Sequence, residues 1–219
     1  TVGWTPASDI VSADEPIPPP TQKGIFGYGQ AVGGPDYSLT NLVSSSGVIA
    51  SDVTGVGTAR ANVVAAPYAG DKGIFAYGYK DSGGGQSKSN LVSNSGVVAA
   101  DVTGVGTTTW NGMGAGYGYT KGIFAFGSTT GGNTAISKLV SDVGVISSDV
   151  SAVGTARTTP AGASYGGDKA IVAFGYTSGA SAISSLITNV GVVGSDVSGV
   201  GTARYELAAC VYGGDKAVF

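Results

Sequence analysis

The sequence predicts an all-β repeat array, on three observations. A motif recurs five times: KGIFGYG from Lys23, KGIFAYG from Lys72, KGIFAFG from Lys121, KAIVAFG from Lys169 and KAVF from Lys216. The steps are 49, 49, 48 and 47 residues. A second motif keeps the same beat: SDVTGVGTAR to Arg60, DVTGVGTTT to Thr109, SDVSAVGTAR to Arg157 and SDVSGVGTAR to Arg204. Third, no stretch keeps a 3.6-residue apolar period over helix length. Self-similarity at this period marks a fold in which each unit buries its neighbour's face.

Residues 58 to 102 serve as the type unit. Ala61 to Tyr68 is small and apolar, and Lys72 to Tyr79 is aromatic. Ser89 to Ser93 carries Leu-Val, and Gly96 to Ala100 carries Val-Val. Gly-rich turns separate all four. Short extended segments with a turn every ten residues or so predict an antiparallel meander. The expectation is four near-equivalent four-stranded units.

Strict alternation along the aromatic strand places Phe75 and Tyr77 on one face, with Ile74, Ala76 and Gly78 on the other. The same split is expected at Phe26/Tyr28, Phe124/Phe126 and Val172/Phe174. A bulky face against a flat one lets sheets nest, as blades around an axis do.

The spacings locate the variable part. Leu42, Leu91, Leu139 and Leu186 each precede Asp52, Asp101, Asp149 and Asp196 by 10 residues. Those Asp residues precede Arg60, Thr109, Arg157 and Arg204 by 8, and the next Lys follows 12 later. Only the Lys-to-Leu step varies, as 19, 19, 18 and 17. Length variation therefore sits in loops 30–40, 79–89, 128–137 and 176–184. In repeat folds such loops share one face, often the binding face.

The ends are irregular. Residues 1–22 predict an extended Pro-rich arm, because Ile17-Pro-Pro-Pro favours a stiff polyproline-like chain. ADEPIPPP occupies the place of an inner strand before the first aromatic strand, and Pro lacks the N–H that a ladder needs. Residues 23–219 form the β-repeat domain. Its last unit, Tyr205 to Phe219, has room for two strands. The ends could close a ring, continue a longer array or pair with another subunit.

Composition excludes several functions. Charged residues are 11% of the chain, against about 25% in typical domains. The net charge of -3, with sparse Lys and Arg, lacks the basic footprint of nucleic-acid binding. There is no His, and Cys210 is alone, so an intrachain disulfide or a Cys metal cluster is excluded. No apolar run approaches the roughly 20 residues of a membrane span. The first residues have no basic n-region or apolar h-region, so no signal peptide is expected.

The recurrent polar residues suit structural roles. Asp52, Asp101, Asp149 and Asp196 fit Asx turns. Calcium would need six to eight oxygens, and one carboxylate per unit falls short. Asp71, Asp168 and Asp215 sit in tight turns. Arg60, Arg157 and Arg204 are expected to bond nearby backbone or the recurrent Asp. No cofactor is implied. A catalytic group should break the repeat, as Asp9, Asp14, Glu15, Asp36, Asp81, Asp142 and Glu206 do. A glycosidase pair of Glu206 with Asp36 or Asp81 is the enzymatic alternative, and a non-enzymatic reading is preferred.

The sharpest break is residues 107 to 122, where Arg gives way to Thr109 and Trp110 and Met113 appear. Trp, Tyr and Met favour interfaces, and local core repacking is the alternative. Trp110, Met113 and Trp4 are thus candidate partner contacts. Tyr37, Tyr79 and Tyr176 on the variable loops join them.

The unit resembles a kelch repeat. TARTTPAGASYGGDKAIVAFG (155 to 175) and TARYELAACVYGGDKAVF (202 to 219) are similar to its inner half, and LVSNSGVVAADVTGVG (91 to 106) to its outer strands. The kelch double glycine is single here, at Gly29, Gly78, Gly127 and Gly175, and the outer-strand Trp is missing. The resemblance covers residues 23 to 219 and implies a kelch-like β-propeller of four to five blades. The wording of the repeat also resembles structural, tail fibre-like proteins of marine tailed bacteriophages. That implies a virion structural or adhesion protein, a homo-oligomer contacting other virion or surface proteins. An extracellular lectin-like module that binds cell-surface glycan is the alternative.

Overall fold

The computed structural model describes residues 24–151 and 153–219. Within them the chain is all-β, with no helix. The expectations on residues 1–22, and on Trp4, lie outside the described residues.

Unit 1 contributes β1 (Gly24–Gln30) and β2 (Asp36–Val43). Unit 2 contributes β3 (Val64–Tyr68), β4 (Lys72–Ala76), the small hairpin β5 (Tyr79–Lys80) and β6 (Gly84–Gly85), and β7 (Ser89–Val92). Unit 3 has β8 (Met113–Tyr117), β9 (Lys121–Thr129), β10 (Gly132–Val140) and β11 (Val150–Ser151). Unit 4 has β12 (Ala161–Tyr165), β13 (Lys169–Ala173), β14 (Ser184–Ile187) and β15 (Val193–Val197). Unit 5 has β16 (Cys210–Tyr212) and β17 (Lys216–Val218).

The sheets are antiparallel meanders in chain order. Of the four near-equivalent four-stranded units expected, units 3 and 4 have four strands, while among the described residues unit 1 pairs two and the main sheet of unit 2 three. In unit 2 the fourth strand shrinks to single bridges, Ser89 with Val102 and Val92 with Val98. The first residue of each outer pair faces solvent, Val97 and Val145 among them, and the second is buried at Ile146 and Val193 but only partly covered at Val98 of unit 2. A strand without a buried face has little to hold it in register.

The sheets stack through their inner strands: β3 on β8, β8 on β12, β12 on β16. Two cores lie between sheets. Val64, Ala66, Tyr68, Ile74 and Ala76 of unit 2 bury against Phe124, Val140 and Ile146 of unit 3. Met113, Ala115, Tyr117, Ile123 and Ala125 of unit 3 bury against Ala170, Val172, Ile187 and Val193 of unit 4. Close approach explains the glycines of β8. A Cβ on Gly114 would stand 2.0 Å from the Ala65 carbonyl oxygen.

The aromatic strand departs from strict alternation. Tyr28, Tyr77, Phe126 and Phe174 have φ of 64, 58, 59 and 63°, and the glycine after each has φ between 106 and 113°. This left-handed pair makes a bulge that swings the second ring to the opposite face. Phe75 therefore meets Tyr28 of the unit before, at 5.2 Å between ring centres. Tyr77 meets Phe124 of the unit after, at 5.9 Å. The shared face expected for Phe75 and Tyr77 is corrected by the bulge. The same glycines stitch the stack. Gly29, Gly78, Gly127 and Gly175 donate N–H to the carbonyls of Arg60, Thr109, Arg157 and Arg204 at 2.9–3.1 Å.

Candidate binding surface

The recurrent charges converge at each seam. Arg60 is fully buried. Its Nε donates to the Tyr77 carbonyl (2.7 Å), one terminal nitrogen to the Thr58 carbonyl (2.9 Å) and the other to Asn90 Oδ1 (2.7 Å). Its guanidinium lies 4.3 Å from the centre of the Tyr28 ring in the preceding unit. Arg157 lies 4.1 Å over Phe126, and Arg204 4.0 Å over Phe174. Arg60, with its donors taken and its face on a ring, is a satisfied buried cation, whereas Arg157 keeps its buried Nε without a partner.

Asp101, Asp149 and Asp196 close units rather than local turns. Asp101 accepts from the N–H and hydroxyl of Thr58, 43 residues earlier, and from Asn90 Nδ2. Asp149 accepts the same pair from Thr107, and Asp196 from Thr155. Asp52 accepts from Asn41 Nδ2. This replaces the Asx-turn expectation: the carboxylate ties the last strand of a unit to the loop that begins it. Burial raises the Asp101 carboxyl, but bonds from Thr58, Asn90 and Lys88 outweigh it and hold it well below the usual carboxylate range. Asp149 and Asp196 are lowered in the same way, through Thr107 and Thr155.

The variable loops meet one another in pairs. Gln30 donates to the Asp81 carboxylate, and the Asp81 N–H to Asp36 Oδ2 at 3.2 Å, which joins the loops of units 1 and 2. Asn133 Nδ2 donates to the carbonyls of Tyr176 (3.1 Å) and Thr177 (3.2 Å), which joins those of units 3 and 4. Much of this variable sequence is hairpin: β5–β6, the β9–β10 turn, and a Tyr176–Ala180 bridge.

At three seams the residue after the bulge glycine meets the residue after Thr109, Arg157 or Arg204. Tyr79 packs on Trp110 with centres 5.2 Å apart. Ser128 Oγ and Thr158 Oγ1 share a 2.7 Å hydrogen bond. Tyr176 packs edge-on to Tyr205 at 5.2 Å. The result is an aromatic pair, a hydroxyl pair and an aromatic pair in successive seams. Tyr176 is 38% exposed and Tyr205 46%. Rings held by a partner but open to water lose little rotamer freedom on docking.

Of the candidate contacts, Tyr79, Trp110 and Tyr176 lie in these seams. Tyr37 is exposed on β2 but apart from the rings' pairing. Met113 is corrected: it is 3% exposed in the core, and a Cβ on Gly162 would meet its Cε at 1.9 Å. It is therefore closed to a partner. Glu206 donates its N–H to the Thr159 carbonyl. Among the described residues no group of three His, Cys, Asp or Glu side chains could hold a metal ion. No helix there is long and apolar enough to cross a membrane.

Two participants escaped the sequence reading. Tyr205 holds the position of Trp110 two motifs later, so aligning the units finds it. Lys138 is buried at 2% exposure with its Nζ 4.4 Å from the Tyr77 ring and 3.7 Å from Asp149. Its signal was a Lys directly before the recurrent Leu, in the one unit that has Thr109 instead of Arg. Comparison with protein-family models and with curated proteins finds no match to this chain.

Proposed function

We propose that this chain is a non-enzymatic structural and adhesion protein of a virion, a tail fibre, decoration or receptor-binding component, built as a kelch-like propeller of four to five blades. The observation that carries the reading is the division of labour among side chains. The recurrent Asp and the buried Arg and Lys are consumed in tying units together. What the variable rim offers to a partner is aromatic rings and small polar groups. Such a surface recognises by contact area and adaptable hydrogen bonds. The stacking of sheets through inner strands and the kelch-like wording support the propeller, and the phage-like wording supports the virion. A free lectin-like module is the second reading, favoured by the Tyr176–Tyr205 pair, since exposed rings also suit sugar faces.

Gold-labelled antibody against the chain, applied to purified virions, tests the proposal. Labelling at a fixed number of sites per particle is expected. Unlabelled virions together with selective binding on a glycan array would replace it with the lectin reading.

A further inference from the structure

A cleft of about 760 Å3 opens between the first two sheets. Gly24, Ile25 and Leu42 form one wall, and Ala65, Pro67 and Gly73 the other. Further along the stack an inner strand occupies the corresponding space. A Cβ on Gly122 would meet the Ala66 Cβ of the preceding unit at 3.1 Å and the Pro67 carbonyl oxygen at 2.7 Å. Gly73 holds the same place one unit earlier. Among the described residues a Cβ there would meet only its own sheet, at 3.7 Å or more. Ala65 and Pro67 are exposed, whereas their counterparts Gly114, Gly116, Gly162 and Ser164 are partly covered. The aromatic strands β4, β9, β13 and β17 each have an inner strand on one edge. Among the described residues, β1 has β2 alone.

We infer that residues 15–19, Glu-Pro-Ile-Pro-Pro, dock in this cleft as the inner strand of unit 1, on the open edge of β1, with Ile17 over Gly73. Length fits. β3, β8 and β12 start eight residues before Lys72, Lys121 and Lys169. Eight residues before Lys23 is Glu15, so the connecting turn has the length used elsewhere.

The prolines fit as well. Pro67 already lies in β3, opposite Gly73 of β4. Antiparallel neighbours alternate between residues that exchange ladder bonds and residues that do not. Pro67 cannot donate, so residues 65 and 67 belong to the second set. Pro16 and Pro18 align with those two positions and forfeit no bond to β1. Pro19 aligns with Tyr68, the last residue of its strand. Ile17 aligns with Ala66, Ala115 and Ala163, which are all buried. Ala65 and Pro67 carry side chains where unit 3 has Gly114 and Gly116, so this seam is wider and takes the larger Ile.

The test is disulfide trapping in the full chain with Cys210→Ser. Ile17→Cys with Gly73→Cys is compared with Ser12→Cys and Gly73→Cys. The docked pair should oxidise to a cross-linked monomer about tenfold or more faster than the control, since docking raises one thiol's effective concentration at the other. Equal rates, or no cross-link in either, would overturn the inference. Cross-linked dimers would overturn it too, by assigning the cleft to a second copy. If Gly73→Cys loses cooperative unfolding, Pro16→Cys with Ala65→Cys reads the same docking.

Discussion

Lys138 holds over Tyr77 the place that Arg60 holds over Tyr28. The distances to the ring centres are 4.4 and 4.3 Å, yet the two cations come from different strands. Arg60 enters from the start of its unit and bonds Asn90. In unit 3 the first position is Thr109, and the residue aligned with Asn90 is Lys138. The seam needs one cation between a ring and a carboxylate, and either strand can supply it.

Exchange should therefore be tolerated only as a pair. Lys138→Asn alone should destabilise by about 2 kcal/mol, below the roughly 3–5 of a broken, fully buried pair because Asp149 is partly exposed. Thr109→Arg alone places two cations in one seam and should also destabilise. The double variant rewrites the Arg60–Asn90 arrangement and should recover most of the loss. Urea unfolding of the four proteins checks this, and additive losses would sink the idea.

Acid should loosen the units. Asp101, Asp149 and Asp196 have folded-state affinities for protons below the ordinary value near about 4. A depressed carboxyl contributes stability above its unfolded pKa and loses it as pH falls through the folded one. Urea midpoints should therefore be insensitive to these groups near neutrality and fall below about pH 4. Asp101→Asn should lower the neutral midpoint and flatten the acid slope. An unchanged slope would place the acid sensitivity elsewhere.

The bulge glycines separate backbone strain from crowding. Gly29 and Gly127 hold equivalent positions with φ of 113 and 110°. Among the described residues a Cβ on Gly29 meets nothing within 4 Å, while one on Gly127 lies 2.6 Å from the Trp110 carbonyl oxygen. Gly29→Ala should cost about 1–3 kcal/mol, the strain of a disfavoured φ. Gly127→Ala should cost more, because the 2.9 Å bond to the Arg157 carbonyl must also shift. Equal losses in thermal unfolding would mean that the seam yields freely.

Ring position sets the third contrast. Phe124 is 2% exposed and Phe26, its counterpart in unit 1, is 61% exposed. Phe124→Ala should cost about 3–5 kcal/mol, as buried Phe truncations do. Phe26→Ala should stay within about 0.5 kcal/mol, as exposed substitutions do. A large loss at Phe26 would show that a further surface covers it.

Periodicity carried the strand order, because every unit repeats the same apolar beat. It failed where one residue changes hand. Alternation put Phe75 and Tyr77 on one face, and nothing in KGIFAYG except its final Gly announces that Tyr77 turns left-handed. The Asp-to-Thr closures join residues 41 to 43 apart, beyond the reach of a local turn rule. Met113 looked like an interface residue by type, and its burial depends on Gly162, which only packing reveals. The aromatic rim was half legible: Tyr79, Trp110 and Tyr176 stood out as irregular, while Tyr205 needed the seam register.

That rim is the last matter for experiment. Tyr176 and Tyr205 touch each other and remain open to water, and Asn133 anchors the backbone at Tyr176. Replacing both with Ser removes two rings without emptying a core, so unfolding should shift by no more than about 0.5–1 kcal/mol. Under the proposed virion role, attachment to the particle, followed by co-sedimentation with virions depleted of the chain, should nevertheless be lost. Trp110 is more deeply seated, and a Cβ on Gly85 would lie 2.8 Å from its ring. Tyr79→Ser with Trp110→Ser should therefore lower stability as well as attachment. The Tyr176/Tyr205 variant is the cleaner probe, because its fold survives. If it sediments with virions as the wild type does, the contact moves off the rim, to Tyr37 or to the first residues of the chain.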